Sequence, residues 1–142
     1  MPGTIAPMER TYTSPRIDKL GVRPGMRVAI VGPVDADGRL AGELAGRTSD
    51  LTVGEPGPDS DVVFLAADSA ADLAGLAGLR DRLRPNGAIW IVSRKGKAAT
   101  LRYAELLAVA TAAGLVDNKV VAFSETHTAL RFVIPRSMRP SG

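Results

Sequence analysis

The chain has 142 residues, a formal net charge of +3, one histidine and no cysteine. That length favours one domain with a single core, and the lack of cysteine excludes disulfides, thiolate metal sites and a cysteine nucleophile. No apolar stretch approaches the roughly 20 residues of a membrane helix, and MPGTIAPMERTYTSP lacks the apolar core of a secretory signal, so the cytoplasm is the expected compartment.

Residues 1–14 have no hydrophobic period and are expected to be a flexible tail, as are residues 136–142. A single domain is expected over 15–135. Ser14-Pro15 has the form of a helix start; the helix would carry Ile17 and Leu20 and stop at Gly21. Arg27–Val31 reads as a buried strand, apolar as when both sheet faces are covered. Leu40 and Leu44 predict a helix ending by Gly46. Leu51–Val53 is a short strand, closed by the Gly54–Pro58 turn cluster, and Asp61–Ala67 is a second buried strand.

Ser69 and Asp72 have capping-box spacing, followed by Leu73, Leu76, Leu79 and Leu83 at helical spacing. Arg84–Gly87 predicts a turn and Ala88–Val92 a third buried strand, with Trp90 in the core. Thr100 is a candidate cap for a helix with Leu101, Ala104, Leu107 and Ala108 inward. Val120–Ser124 and Ala129–Ile134 are joined by Glu125–Thr128, a link too short for a parallel crossover, so they must form an antiparallel hairpin. Strands otherwise alternate with helices, which predicts an α/β fold: a mostly parallel sheet with helices on both faces.

The charge is polarised along the chain. Residues 35–72 hold nine acids against Arg39 and Arg47, and residues 80–102 hold seven bases against Asp81. The pI near 9.7 invites a nucleic-acid hypothesis. Aromatics are only 4% of the chain, too few for the stacking platforms of single-strand binders, so nucleic acid is not the expected partner.

LGVRPGMRVAIVG, LRDRLRPNGAIWIVS and the closing hairpin together resemble the class I S-adenosylmethionine-dependent methyltransferase fold, a Rossmann-like sheet, here shortened. That resemblance implies a cofactor loop after the first strand, with an acid within the strand and three glycines at alternate positions. This chain has Gly32, but Ile30, Val34 and Ala36 at the other positions. Such glycines let backbone approach a ligand where a Cβ would intrude. S-adenosylmethionine is therefore possible but disfavoured on the loop alone. Glu55 stands where the resemblance implies a ribose-binding acid. With Gly32, Asp35 and Asp68, it completes the candidate cofactor-binding set.

A closer resemblance is to DUF3052, a family of small bacterial proteins of unknown function. It rests on KLGVRPGMRVAIVG, DVVFLAAD, LRPNGAIWIVSRKGK and GLVDNKVVAFSETHTALRFV. That family carries Trp where this chain has His127, which argues against a catalytic histidine there. The resemblance implies a methyltransferase-like fold without an established activity; the expected role is a non-catalytic binding or interaction domain on a degenerate form of that fold, with an unknown protein partner or a small anionic ligand. The alternatives are a methyltransferase with an atypical cofactor loop, or an anion- or nucleotide-binding module.

Ligands of open α/β sheets sit beyond the carboxyl ends of the strands. Ser93, Arg94, Lys95 and Lys97 fall there and are the candidate anion-binding residues. No catalytic or metal-ligating set is expected: GxSxG is absent, and one histidine without cysteine makes a poor metal site. His127 and Glu125 could pair as a general base; the simpler expectation is a solvated turn histidine. Glu125 and Arg131 could instead form a cross-strand ion pair.

Overall fold

A computed structural model describes residues 16–34 and 38–139. The six strands are β1 (Val28–Val31), β2 (Leu51–Val53), β3 (Ser60–Ala66), β4 (Leu83–Arg94), β5 (Val116–Ala122) and β6 (His127–Val133). They form one sheet in the order β2-β1-β3-β4-β6-β5. β1 pairs in parallel with β2 and β3, and β3 in parallel with β4. β6 is antiparallel to both β4 and β5, so β6 alone runs against the rest.

Helices cover both faces because the strand side chains alternate. On one face Val28, Ile30, Phe64, Trp90 and Val92 pack against Ile17 of α1 (Arg16–Lys19), Leu20 just after it, and Leu40 and Leu44 of α2 (Arg39–Ala45). On the other, Ala29, Val63, Ile89, Ile91 and Phe132 pack against Leu76 and Leu79 of α3 (Leu76–Arg80) and Leu106 and Ala110 of α4 (Tyr103–Ala112). The result is the expected α/β architecture: a mostly parallel sheet closed by an antiparallel hairpin, with helices on both sides. Among the described residues no helix is long and apolar enough to cross a membrane.

Several local expectations change. The helix start at Ser14-Pro15 lies outside the described residues. The leucine row from 73 to 83 is not one helix. Ala70–Leu73 is a 3₁₀ turn, α3 is separate, and Leu83 already belongs to β4. All four leucines are nonetheless buried, because the segment needs only to keep one apolar side inward. The capping box is displaced by one residue. Ser69 Oγ accepts from Asp72 N at 3.3 Å, but Asp72 Oδ2 accepts from Asp68 N rather than Ser69 N.

Thr100 does not cap α4. Its hydroxyl donates to Asp68 O at 2.6 Å, and Arg102 holds the cap position without a side-chain bond. With the helix starting at Tyr103, its inward stripe is Leu106 and Ala110, not Ala104 and Ala108. β5 starts at Val116, four residues earlier than the apolar run suggests, because an edge strand tolerates polar residues such as Asp117 and Lys119.

Arg84–Gly87 is an excursion inside β4. Ser60 pairs with Leu83 and Val62 with Ala88, so four residues of β4 stand opposite Asp61 alone. Gly87 closes this bulge against β3. A Cβ there would lie 2.9 Å from Ser60 O, 3.1 Å from Asp61 O and 3.2 Å from Arg84 O. No side chain other than hydrogen fits that approach.

Candidate functional site

The sheet order creates a switch point. From β1 the chain moves outward to β2, then returns across β1 to β3 on its other side. The loops leaving β1 and β3 therefore diverge, and ligands of such sheets bind in the crevice between them. A cleft of about 490 Å³ opens at this edge. Pro33 and Val34 after β1, Asp68 after β3, Arg94 at the end of β4 and the Phe123–His127 connection line it.

Its walls are fixed by specific bonds. Arg16 Nε donates to Glu43 Oε1 at 3.2 Å, its NH1 donates to Phe123 O at 2.9 Å, and its guanidinium carbon lies 4.6 Å from the Phe123 ring centroid. One side chain thus ties α1, α2 and the hairpin together. Asp68 Oδ1 accepts from Arg94 N at 2.9 Å, and Oδ2 lies 3.7 Å from Arg94 Nε. Lys95 N donates to Thr126 O at 3.0 Å, which fastens the end of β4 to the hairpin.

The candidate residues do not all converge. Gly32 sits at the start of the loop with φ +78°, and a Cβ there would meet Ala66 Cβ at an ordinary 3.6 Å. The backbone conformation, not lack of room, calls for glycine. Asp68 and Arg94 line the cleft. Ser93 points to the opposite face, into a groove with Leu101, Leu106 and Leu130. Lys95 and Lys97 lie beyond the cleft lining, Lys97 in a 3₁₀ turn at Gly96–Ala98. Glu55 is exposed, one residue past Gly54, whose N donates to Ile30 O at 2.8 Å, and it does not line the cleft. Asp35 lies outside the described residues.

Two of the cofactor-motif positions, one inside β1 and one in the loop after it, serve the interior. Ile30 and Val34 are buried in the core shared with α1 and α2. Val34 N donates to Gly32 O at 2.8 Å, which turns the chain inward at once.

The hairpin connection was the part hidden from sequence reasoning, although a signal existed. An antiparallel β6 beside β4 must start where β4 ends, and Arg94 does pair with His127. The connection before β6 is thereby carried to the ligand-binding edge. His127 is the first residue of β6 and lines the cleft rather than standing free in a turn. Its Nδ1 is 2.8 Å from Thr126 Oγ1, so its ring partner is Thr126 and not Glu125. The Glu125–Arg131 ion pair does not form either, because the register sets Lys119 opposite Arg131. Arg16 carried no sequence signal.

Chemically the cleft offers acids (Asp68, Glu125) and bases (Arg39, Arg94) around a partly apolar floor, an arrangement suited to a ligand carrying both charges. Among the described residues no group of three or more histidines and acids could hold a metal ion.

No protein-family model matches the chain, and no curated protein matches its sequence. Solved structures do match its fold. A SAM-dependent methyltransferase from Aquifex aeolicus superposes with a TM-score of 0.62 at 17% identity, over 83% of this chain and 87% of that one. A TehB-like SAM-dependent methyltransferase from Corynebacterium glutamicum gives 0.58 at 18% identity, over 84% and 85%. The Burkholderia thailandensis 1,6-didemethyltoxoflavin-N1-methyltransferase, with bound S-adenosylhomocysteine, gives 0.59 at 14% identity, over 82% and 73%. At these identities the likeness is one of fold: the chain has a methyltransferase-like Rossmann fold.

Proposed function

We propose that the switch-point cleft binds S-adenosylmethionine or S-adenosylhomocysteine, and that the chain works as a small methyltransferase-like protein on that ligand. The observation that carries this reading is the cleft itself. It stays open at the crevice where such sheets take ligands, although the loop lacks two of its glycines. Asp68 and Glu125 suit the ligand's amino group, and Arg94 or Arg39 its carboxylate. The methyltransferase fold supports the same choice, since the Burkholderia neighbour holds S-adenosylhomocysteine.

Calorimetric titration with both compounds tests it. Saturable one-to-one binding is expected, weakened on the order of tenfold by Asp68→Asn, the worth of one charge-assisted contact. No heat and no thermal shift at millimolar ligand would rule the reading out.

A second reading is favoured by the burial of Val34, which commits that loop position to the core, and of Ile30 inside β1. On it the chain is a DUF3052-type binding or interaction domain that has kept the fold without the cofactor. Its mark is a wild-type protein silent to both compounds that still captures a protein partner in pull-downs.

A further inference from the structure

A second cleft, also of about 490 Å³, shares no lining residue with the first. The turn between α1 and β1, Arg47 after α2, and the facing surfaces of β4, β5 and β6 enclose it. These connections belong to the amino ends of the parallel strands, away from the switch point.

Its charge is one-sided. Lys19, Arg23, Arg47, Lys119 and Arg131 line it against one acid, Asp18. That acid is already engaged, since Arg47 NH2 donates to Asp18 Oδ1 at 2.8 Å. Lys119 and Arg131 stand directly opposite each other in the β5–β6 ladder, and like charges so placed are destabilising. Neither finds a carboxylate among the described residues. Lys119 Nζ donates to Lys19 O at 2.8 Å, and Arg131 NH1 donates to Asn118 Oδ1 at 3.2 Å, both neutral acceptors. Burial and the nearby Arg139 hold the Arg131 guanidinium below its ordinary value. A partly buried cation facing a second cation, with neutral acceptors only, is costly unless an anion joins it.

We propose that this cleft is a binding site for a small phosphate-bearing anion, with Arg131 and Lys119 as its principal ligands. A guanidinium presents a planar fork that matches phosphate oxygens, and the lysine supplies a mobile point charge beside it. Arg23 and Lys19, both exposed, add charges of the same sign to the lining. Trp90, 1% exposed, fixes the wall through its Nε1 bond to Leu20 O. The anion would stabilise the fold by offsetting the one-sided positive charge of the cleft. The shared chemistry is phosphate, free or carried on a nucleotide.

Thermal melting and calorimetry at matched ionic strength test it, with inorganic pyrophosphate in one arm and adenosine diphosphate in the other. Pyrophosphate is expected to raise the melting temperature and to bind saturably. Tighter binding of the nucleotide would mark an esterified ligand, and equal binding a free one. Lys119→Gln and Arg131→Gln should each weaken binding on the order of tenfold, and Arg102→Gln, which removes one positive charge elsewhere, should not. Lys119 is exposed, so its variant tests the site even if Arg131→Gln folds poorly. No rise in the wild type at millimolar pyrophosphate, or equal binding by all three variants, would overturn the proposal.

Discussion

Trp90→Phe probes how the segment before β1 is anchored. Trp90 is the only tryptophan of the chain and is 1% exposed, and its Nε1 donates to Leu20 O at 3.0 Å. Phenylalanine keeps an aromatic ring in the core but removes the donor. Leu20 is itself 1% exposed, so its carbonyl is left without a partner in a dry place, at about 1–3 kcal/mol. The lost part of the indole leaves a void of about 40 Å³, which at about 24 cal/mol per Å³ adds about 1 kcal/mol. The sum is about 2–4 kcal/mol, a large share of a domain stability of about 5–15 kcal/mol. The melting temperature should fall by about 8–16 °C at this size. Urea unfolding followed by far-ultraviolet circular dichroism reads it without needing tryptophan fluorescence. The slope should not change, since the surface exposed on unfolding is the same. A loss under about 1 kcal/mol would refute the reasoning, because the buried bond and the void would then contribute almost nothing.

Two glycines should respond with opposite signs to alanine. Gly87→Ala forces a Cβ to within 2.9 Å of the β3 backbone, so β3 and β4 must part; a loss of about 3 kcal/mol or more is expected by melting. Gly78→Ala, inside α3 with nothing within 4 Å, should gain about 0.5–1 kcal/mol. Tyr103 donates its hydroxyl to Asp117 Oδ2 at 2.8 Å, and that bond, then slight burial and the Asp117 charge, raise its pKa above 10.0. The protonated phenol is the favoured form in the fold. The contact's contribution is therefore complete below the unfolded value of 10.0 and lost as pH rises through the higher folded value. In a Tyr12→Phe background, phenolate absorbance should appear at lower pH in Asp117→Asn than with Asp117 intact; no difference would remove Asp117 as the cause.

Much of the sheet was legible because its strands are short apolar runs between strong turn signals. Val28–Val31 and Val62–Leu65 needed only that pattern, and the four-residue link before β6 left no choice but reversal. Helices were less legible. Leu73, Leu76, Leu79 and Leu83 have helical spacing, yet the chain needs them only to face one side, which a 3₁₀ turn, a short helix and a strand start satisfy equally. Thr100 had the form of a cap, but Asp68 O lay within reach of its hydroxyl and took it. At the site, the loops after β1 and β3 followed from topology. The contribution of Arg16 did not, since it depends on Glu43, 27 residues away, and Phe123 O, 107 residues away. The pairing of Lys119 with Arg131 was hidden for a related reason. It depends on a bulge between Asp117 and Lys119, and a one-residue shift of register decides which side chains share a face.

The reversed strand also sets an order of assembly. β4 holds the deepest part of both cores, with Ala88 to Val92 buried throughout. One of its edges is satisfied by β3, which precedes it in the chain. The other waits for β6, whose residues 127–133 come near the end. During synthesis, five strands and four helices precede β6, and until it arrives β4 offers an unpaired edge, the kind of surface that recruits other chains. The last strand therefore acts as a seal. A chain cut short before Ala129 would leave that edge of β4 without its partner.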